Sequence, residues 1–132
     1  MSNHASGTFE LNWEDLGSEE EQGNSFGRAR VTKTFSGDLT GTSVTEIMMV
    51  GTPAGPAAYV GIERVDGTLG GRKGGFVLQH SAGSDDGTPE TQWMRWRIVP
   101  TSGTGELTGI RGEGRIRNDG GAHSYVLDYT LD

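Results

Sequence analysis

Apolar side chains recur at every second position through most of this chain, and glycines separate the alternating runs. This alternation is typical of half-buried β-strands, and no window repeats apolar residues at the spacing of a helix. The pattern therefore predicts an all-β chain. We expect strands over residues 7–15, 28–36, 42–50, 91–99 and 124–131, with a long hairpin over residues 57–81.

The hairpin is the most informative stretch, because a Gly70-Gly71 pair separates its two apolar runs. Tight two-residue turns need positive φ angles, which glycine adopts without cost. A turn there places Glu63 opposite Leu78 and Gly61 opposite His80. Diagonal neighbours lie roughly 7–8 Å apart, so Glu63 and His80 are close enough to interact. One face of the hairpin then carries Tyr59, Gly61, Glu63, Val65, Phe76, Leu78 and His80.

The preceding strand returns to this hairpin through the loop 51–56. We expect it to pair Glu46 with Gly61 and Met48 with Tyr59, which places both side chains on the same face. Three polar groups would then meet in a largely apolar setting, where a carboxyl group can stay neutral and donate a proton. The candidate catalytic residues are Glu46, Glu63 and His80.

Structural roles for these residues stay open. Glu63 can pair with an arginine such as Arg72 at the hairpin end, and His80 can bond a backbone carbonyl group. A metal site formed by His80, Glu46 and Glu63 is a further alternative, although no His-x-His motif supports it.

The opposite face of the same three strands is also apolar, since it would carry Thr45, Ile47, Met49, Val60, Ile62 and Val77. In an antiparallel sheet with one solvent-exposed face, apolar and polar residues alternate more regularly than they do in these strands. We expect one face to line a barrel interior and the other to be covered, so we predict a homodimer or a higher homo-oligomer.

The rest of the chain suggests simpler roles. Residues 1–6 are expected to form a flexible tail and residues 16–27 a solvated acidic loop. Trp13 is predicted to be in the core, and Trp96 is predicted to be buried. The last turn is expected at Gly120-Gly121. The glycine-rich residues 103–114 lack the spacing of a dinucleotide-binding loop, so a tight corner is predicted.

Length and charge limit the possible functions. At 132 residues the chain is expected to be a single domain, residues 1–132. A formal charge of −7 with scattered basic residues argues against a nucleic-acid partner. The chain has no cysteine, no leader-like N-terminus and no apolar run of membrane-spanning length. We therefore expect a cytoplasmic protein with no membrane partner.

Several segments together closely resemble the bacterial DUF3224 family: ASGTFE, VTKTFSGDLTG, YVGIERVDGTLGGRKGGFVLQHS, VPTSGTGELTGIRGEG and LDYTLD. The resemblance covers nearly the whole chain. It implies a closed or nearly closed antiparallel barrel of about eight strands, similar to allene oxide cyclase and to calycins. The segment GTGELTGIRG is also similar to an element of dirigent barrels.

Barrels of this class include cofactor-free cyclases of fatty-acid and polyketide chains. The resemblance thus implies a cyclase or isomerase that acts on a small, largely apolar substrate in the barrel lumen without a cofactor or a metal. The alternative is a carrier or sensor barrel that binds such a molecule unchanged. The expected ligand-binding residues are Tyr59, Met48, Phe76, Leu78, Trp96 and Tyr125.

Overall fold

The computed structural model describes residues 2–131, and eight antiparallel strands close into one barrel in the order of the sequence. The prediction of an all-β barrel of about eight strands is confirmed. The strands are β1 (Ser2–Glu21), β2 (Asn24–Gly37), β3 (Leu39–Gly51), β4 (Ala57–Leu69), β5 (Arg72–Ser84), β6 (Gln92–Ile98), β7 (Arg111–Asp119) and β8 (Ala122–Thr130). Two 3₁₀ turns, Pro89–Thr91 and Gly105–Leu107, lie in the connections.

The central hairpin has the predicted register. Gly70 and Gly71 form the turn between β4 and β5 with φ angles of 57° and 84°. Glu63 pairs with Leu78, and Gly61 pairs with His80. Since side chains alternate across a strand, the predicted inward set of this hairpin is confirmed. The predicted turn at Gly120-Gly121 is also confirmed, because β7 and β8 pair up to Asp119 and Ala122.

The predicted register of β3 is wrong by one residue. Gly51 pairs with Ala57, so Ile47 lies opposite Gly61 and Thr45 lies opposite Glu63. The cause is the short loop after β3, which Thr52 closes by donating from its backbone N–H to the Pro56 carbonyl oxygen at 2.9 Å.

A slip of one residue turns every side chain of a strand to the other face. Glu46 and Met48 therefore point outwards, and the inward positions of β3 are occupied by Thr45, Ile47 and Met49. The Glu46 carboxylate lies on the barrel surface, 3.2 Å from the guanidinium of Arg30.

The N-terminal segments are more ordered than predicted. Residues 2–6 pair with β8 where a flexible tail was expected, and Met1 lies outside the described residues. Residues 17–21 continue β1 after a bulge at Leu16 and pair with β2 across a turn at Gln22 and Gly23. Polar composition did not prevent either pairing: a two-residue turn joins β1 to β2, and closure of the barrel brings residues 2–6 against β8.

Trp13 is 55% exposed, so its predicted place in the core is wrong. It lies on the inward side of β1, opposite Val31. However, β8 pairs with β1 only as far as Phe9, so Trp13 lies beyond the part of β1 that β8 covers.

One end of the barrel is filled by apolar side chains. Leu39, Leu69, Leu107 and Ile110 are fully buried there in one cluster. The connection between β6 and β7 packs closely against β5, where a Cβ atom on Gly74 would lie 2.0 Å from the Thr104 carbonyl oxygen. The tight corner predicted over residues 103–114 is confirmed.

The outer face of β3 and β4 carries exposed apolar side chains. Met48, Val60 and Ile62 are 63%, 59% and 50% exposed. With Leu16 and Gln79 they border a groove of about 410 Å³. The predicted apolar outer face therefore exists, although Met48 takes the place expected for Ile47 and Met49. Within residues 2–131, no helix is long and apolar enough to cross a membrane.

We expect this outer face to pair with a second copy of the chain, because contiguous apolar surface of this kind is usually covered. Light scattering of the wild type at micromolar concentration should then give at least twice the monomer mass of 14.1 kDa. Ile62→Lys should shift the mass to that of the monomer. Trp93→Lys, which changes an exposed aromatic residue on β6, should leave the mass unchanged. A monomeric wild type would refute the pairing.

Candidate functional site

The carboxylate of Glu63 lies at the centre of the barrel interior and is 0% exposed. The Lys33 ammonium group donates to its Oε1 atom at 3.1 Å, and the Trp96 indole N–H donates to the same atom at 3.0 Å. The Ser43 hydroxyl group donates to Oε2 at 2.6 Å. An ionised carboxylate only accepts hydrogen bonds, so this set of donors suits the charged form. The geometry favours a structural ion pair at the position where a proton donor was expected.

Lys33 is the important residue that sequence reasoning missed. It is buried on β2, and its ammonium group lies 5.0 Å from the centre of the Phe9 ring and 5.8 Å from that of Trp96. A signal was present, because Lys33 shares the inward phase of its strand with Val31 and Phe35. A lysine in an apolar phase of alternation indicates a buried partner.

His80 and Tyr59 form a second polar pair next to this cluster. The Tyr59 hydroxyl oxygen lies 2.9 Å from His80 Nε2, and the two rings meet edge to face. Burial, followed by the charge of Lys33, lowers the pKa of His80 to about 4. Burial, followed by the charge of Glu63, raises the pKa of Tyr59 to about 12. Both side chains are therefore neutral at pH 7.

Above this pair the barrel opens into a cup of about 800 Å³. The cup lies at the end opposite the filled one, between the turns that join β1 to β2, β3 to β4 and β7 to β8. Its wall is mostly apolar and includes Met49, Tyr59, Ala82, Met94 and Ile116. Trp93 contributes at the rim.

The structure separates the predicted ligand-binding residues into three groups. Tyr59 lines the cup. Phe76, Leu78 and Trp96 point inwards but are packed in the buried core below it. Met48 is on the outer surface, because of the register of β3.

Tyr125, also predicted to bind ligand, is buried in the core and engaged by the backbone. Its hydroxyl group accepts from the Leu39 N–H at 2.8 Å and donates to the Ser36 carbonyl oxygen at 3.0 Å. Burial raises the pKa of Tyr125. These bonds tie β8 to the turn between β2 and β3, which indicates a structural role.

The three candidate catalytic residues do not meet at one point. Glu63 and His80 both lie in the interior, whereas Glu46 is on the outside. A metal ion held by all three is therefore incompatible with the register of β3. Among the side chains that the structure describes, no three histidine, aspartate or glutamate residues converge on a possible metal site.

These features define a closed antiparallel β-barrel that is packed at one end, holds a buried ion pair at its centre and opens into an apolar cup at the other end. The chain belongs to the DUF3224 family, whose sequence model, described as a protein of unknown function, matches residues 5–129.

A crystal structure of a DUF3224 protein of unknown function from Shewanella oneidensis MR-1 is similar over the full length. The two proteins share 33% sequence identity with a TM-score of 0.90, and the alignment covers 100% of this chain and 99% of the other. Comparison with curated proteins gives no match.

Replacing Lys33 should show how strongly the interior depends on the ion pair. Lys33→Met leaves the Glu63 carboxylate buried without its cation, which typically costs about 3–5 kcal/mol of unfolding free energy. The exposed Arg30–Glu46 pair provides a control, since Arg30→Met should cost no more than about 1 kcal/mol. Urea unfolding measures both. Equal losses of unfolding free energy in the two variants would contradict a buried charge pair. In the double variant Lys33→Met/Glu63→Gln, part of the unfolding free energy lost in Lys33→Met should be recovered.

Stability should fall in acid because of His80. Its pKa is about 4 in the folded chain against a usual 6.5, so between these values the unfolded chain binds a proton that the folded chain does not. The His80 contribution is therefore complete above pH 6.5 and is lost as the pH falls towards 4, with an upper bound of about 3 kcal/mol. The difference in unfolding free energy between wild type and His80→Gln should shrink over this range. A constant difference would be inconsistent with a neutral buried imidazole.

Proposed function

We propose that this protein binds a small, mostly apolar molecule in the open cup and acts as a carrier or sensor. The observation that carries the proposal is the cup itself. Its volume of about 800 Å³ lies within the roughly 300–1,000 Å³ typical of small-molecule sites. Its wall combines two flexible methionines, Met49 and Met94, with the ring of Tyr59. Methionine side chains adapt to ligands of irregular shape.

The polar groups near the cup support an uncharged ligand. Tyr59 and His80 are both neutral at pH 7, and the charge of Lys33 is already paired with Glu63. A charged ligand would lose its hydration without gaining a counter-ion in the interior. The cup therefore suits a molecule with an apolar body and at most a few neutral polar atoms.

A second candidate is a cofactor-independent cyclase or isomerase acting on a polyketide-like or fatty-acid-like chain. The hydrogen bond between Tyr59 and His80 favours it, because a phenol held by an imidazole can polarise a ligand oxygen. Confinement in the cup would hold a flexible chain near its reactive conformation and so lower the barrier to ring closure. In this version the chemistry is carried by Tyr59 and His80, while Glu63 supports them from within its ion pair.

Filling the cup tests both candidates. Ala82→Trp places an indole in the cup and should abolish the fluorescence gain of N-phenyl-1-naphthylamine, a neutral apolar probe. Ser81→Trp adds the same group at the next position, which faces away from the interior, and should leave probe binding unchanged. If Ala82→Trp binds the probe as strongly as the wild type does, the cup is not the binding site.

The wild type and Ala82→Trp can also be used to distinguish a carrier from an enzyme. Molecules released from the purified wild type by denaturation, and missing from Ala82→Trp, identify the ligand by mass spectrometry. A carrier returns that molecule unchanged after incubation. A cyclase or isomerase converts it to a product of equal mass with a different retention time, and Tyr59→Phe should slow that conversion while retaining binding.

A further inference from the structure

Within residues 2–131, strands β6 and β7 are joined over only part of their length. They pair at Trp96–Gly114 and Arg97–Glu113, whereas β6 pairs with β5 from Gln92 to Ile98. Towards the open end of the barrel, residues 92–95 of β6 and 115–118 of β7 border a seam in the wall. Side chains from both sides of this seam line the cup: Gln92, Met94, Ile116 and Asn118.

Charge explains where this ladder ends. Continuing its register would place Arg95 opposite Arg115 on the outer face, and like charges directly opposite one another destabilise a strand pair. The outward pair that does form, Arg97 with Glu113, has opposite charges instead. The sequence of β6 and β7 therefore favours an open seam beside the cup.

The backbone N–H of Ile116 lies in this seam. It donates to the Met94 sulfur atom at 3.5 Å, whereas in a continued antiparallel ladder it would donate to a carbonyl oxygen atom of β6. A thioether sulfur is a weak acceptor, so an oxygen atom in its place would form a stronger bond. The seam thus contains a donor that a bound molecule can satisfy better than the protein does.

The Met94 side chain can leave this position without disturbing a strand. Its bond to Ile116 joins a side chain to the backbone, and a methionine side chain has three rotatable bonds. Met94 and Ile116 both line the cup of about 800 Å³, which has room for the displaced thioether group beside a ligand. Rotation of Met94 into the cup would therefore uncover the Ile116 N–H.

The surroundings of this N–H suit an uncharged oxygen atom. The seam residues that line the cup have neutral side chains, and Arg95 and Arg115 belong to the outward phase of their strands. A carboxylate that bound to one neutral donor here would lose its hydration without gaining a counter-ion. A ketone, ester or amide oxygen atom carries no such penalty.

We propose that the ligand carries an uncharged acceptor oxygen atom, such as a carbonyl oxygen, which accepts from the Ile116 N–H in place of the Met94 sulfur while its apolar body fills the cup. This inference rests on the proposed binding function and names the class of ligand. The Ile116 backbone is then the contact that determines specificity. Met94 is a movable side chain that competes with the ligand oxygen for this contact.

A matched pair of probes tests the proposal. 2-Nonanone and 2-methyl-1-nonene have similar shapes, but the second carries a methylene group where the first has its carbonyl oxygen atom. Their affinities can be measured by displacement of N-phenyl-1-naphthylamine. The ketone preference is the affinity for 2-nonanone divided by that for 2-methyl-1-nonene, and comparing it between two proteins cancels the difference in probe hydration.

Met94→Leu should raise the ketone preference by about 2- to 10-fold, the effect of one neutral hydrogen bond. Leucine cannot accept from the Ile116 N–H, so the ketone oxygen no longer competes with a sulfur atom, and the alkene complex leaves this N–H unsatisfied. Met49→Leu is the matched control, because it makes the same exchange at the other methionine of the cup, and it should leave the preference unchanged. If Met94 only shaped the wall, its replacement would alter the affinity for both probes equally.

NMR reports on the N–H group itself. In the isotope-labelled wild type, 2-nonanone should move the Ile116 amide proton to a higher frequency than 2-methyl-1-nonene does, because a carbonyl oxygen is a stronger acceptor than a thioether. Equal shifts with the two probes would contradict a bond from this N–H to the ketone.

The outcomes distinguish this proposal from the proposed function. If both probes bind and Met94→Leu leaves the ketone preference unchanged or lowers it, the role of the seam is wrong and binding in the cup stands. If neither the fluorophore nor the probes bind the wild type, the binding function fails and the role of the seam fails with it. A gain of ketone preference in Met94→Leu but not in Met49→Leu would support both.

Discussion

The ion pair between Lys33 and Glu63 is the constraint on which the barrel interior depends. Two charges without water are costly, and their attraction compensates only when further hydrogen bonds satisfy them. Here Ser43 and Trp96 supply those bonds at 2.6 Å and 3.0 Å. The four residues come from β2, β3, β4 and β6, so one carboxylate links strands that are not neighbours in the barrel. This arrangement requires a single register for each of these strands.

The pair also divides the interior into two functional halves. On one side, leucine, isoleucine and aromatic side chains fill the barrel completely. On the other side, Ala82 and Ile116 line the cup, which opens to solvent. The field of the pair reaches into this second half, since Lys33 contributes to the low pKa of His80 and Glu63 to the high pKa of Tyr59. Burial is the larger cause of both pKa shifts, and the charges of the pair add to it, so the polar groups beneath the cup are neutral.

Local signals allowed much of the fold to be predicted from sequence. The Gly70-Gly71 turn determined the β4–β5 register because a two-residue hairpin leaves one pairing. The loop after Gly51 offered no such restriction, and the choice between Val50 and Gly51 as the closing residue decided whether Glu46 faced inwards. That one-residue error exchanged the whole polar set of β3 and placed a surface glutamate in the candidate site. Lys33 was missed for a different reason, since its partner lies 30 positions away in sequence.

The corrected register changes which chemistry the interior supports. A site with Glu46, Glu63 and His80 together would hold two carboxylates near one imidazole and would favour proton transfer. With Thr45 facing inwards instead, the groups around Gly61 are a hydroxyl, a neutral imidazole and a phenol, all of which bind neutral oxygen atoms well. Because a histidine with a pKa of about 4 is a weak base, His80 is poorly suited to proton abstraction. A glycine is needed at position 61 because an added Cβ atom would lie 3.0 Å from the Glu46 carbonyl oxygen and 3.2 Å from side-chain carbons of Thr45 and Ile47.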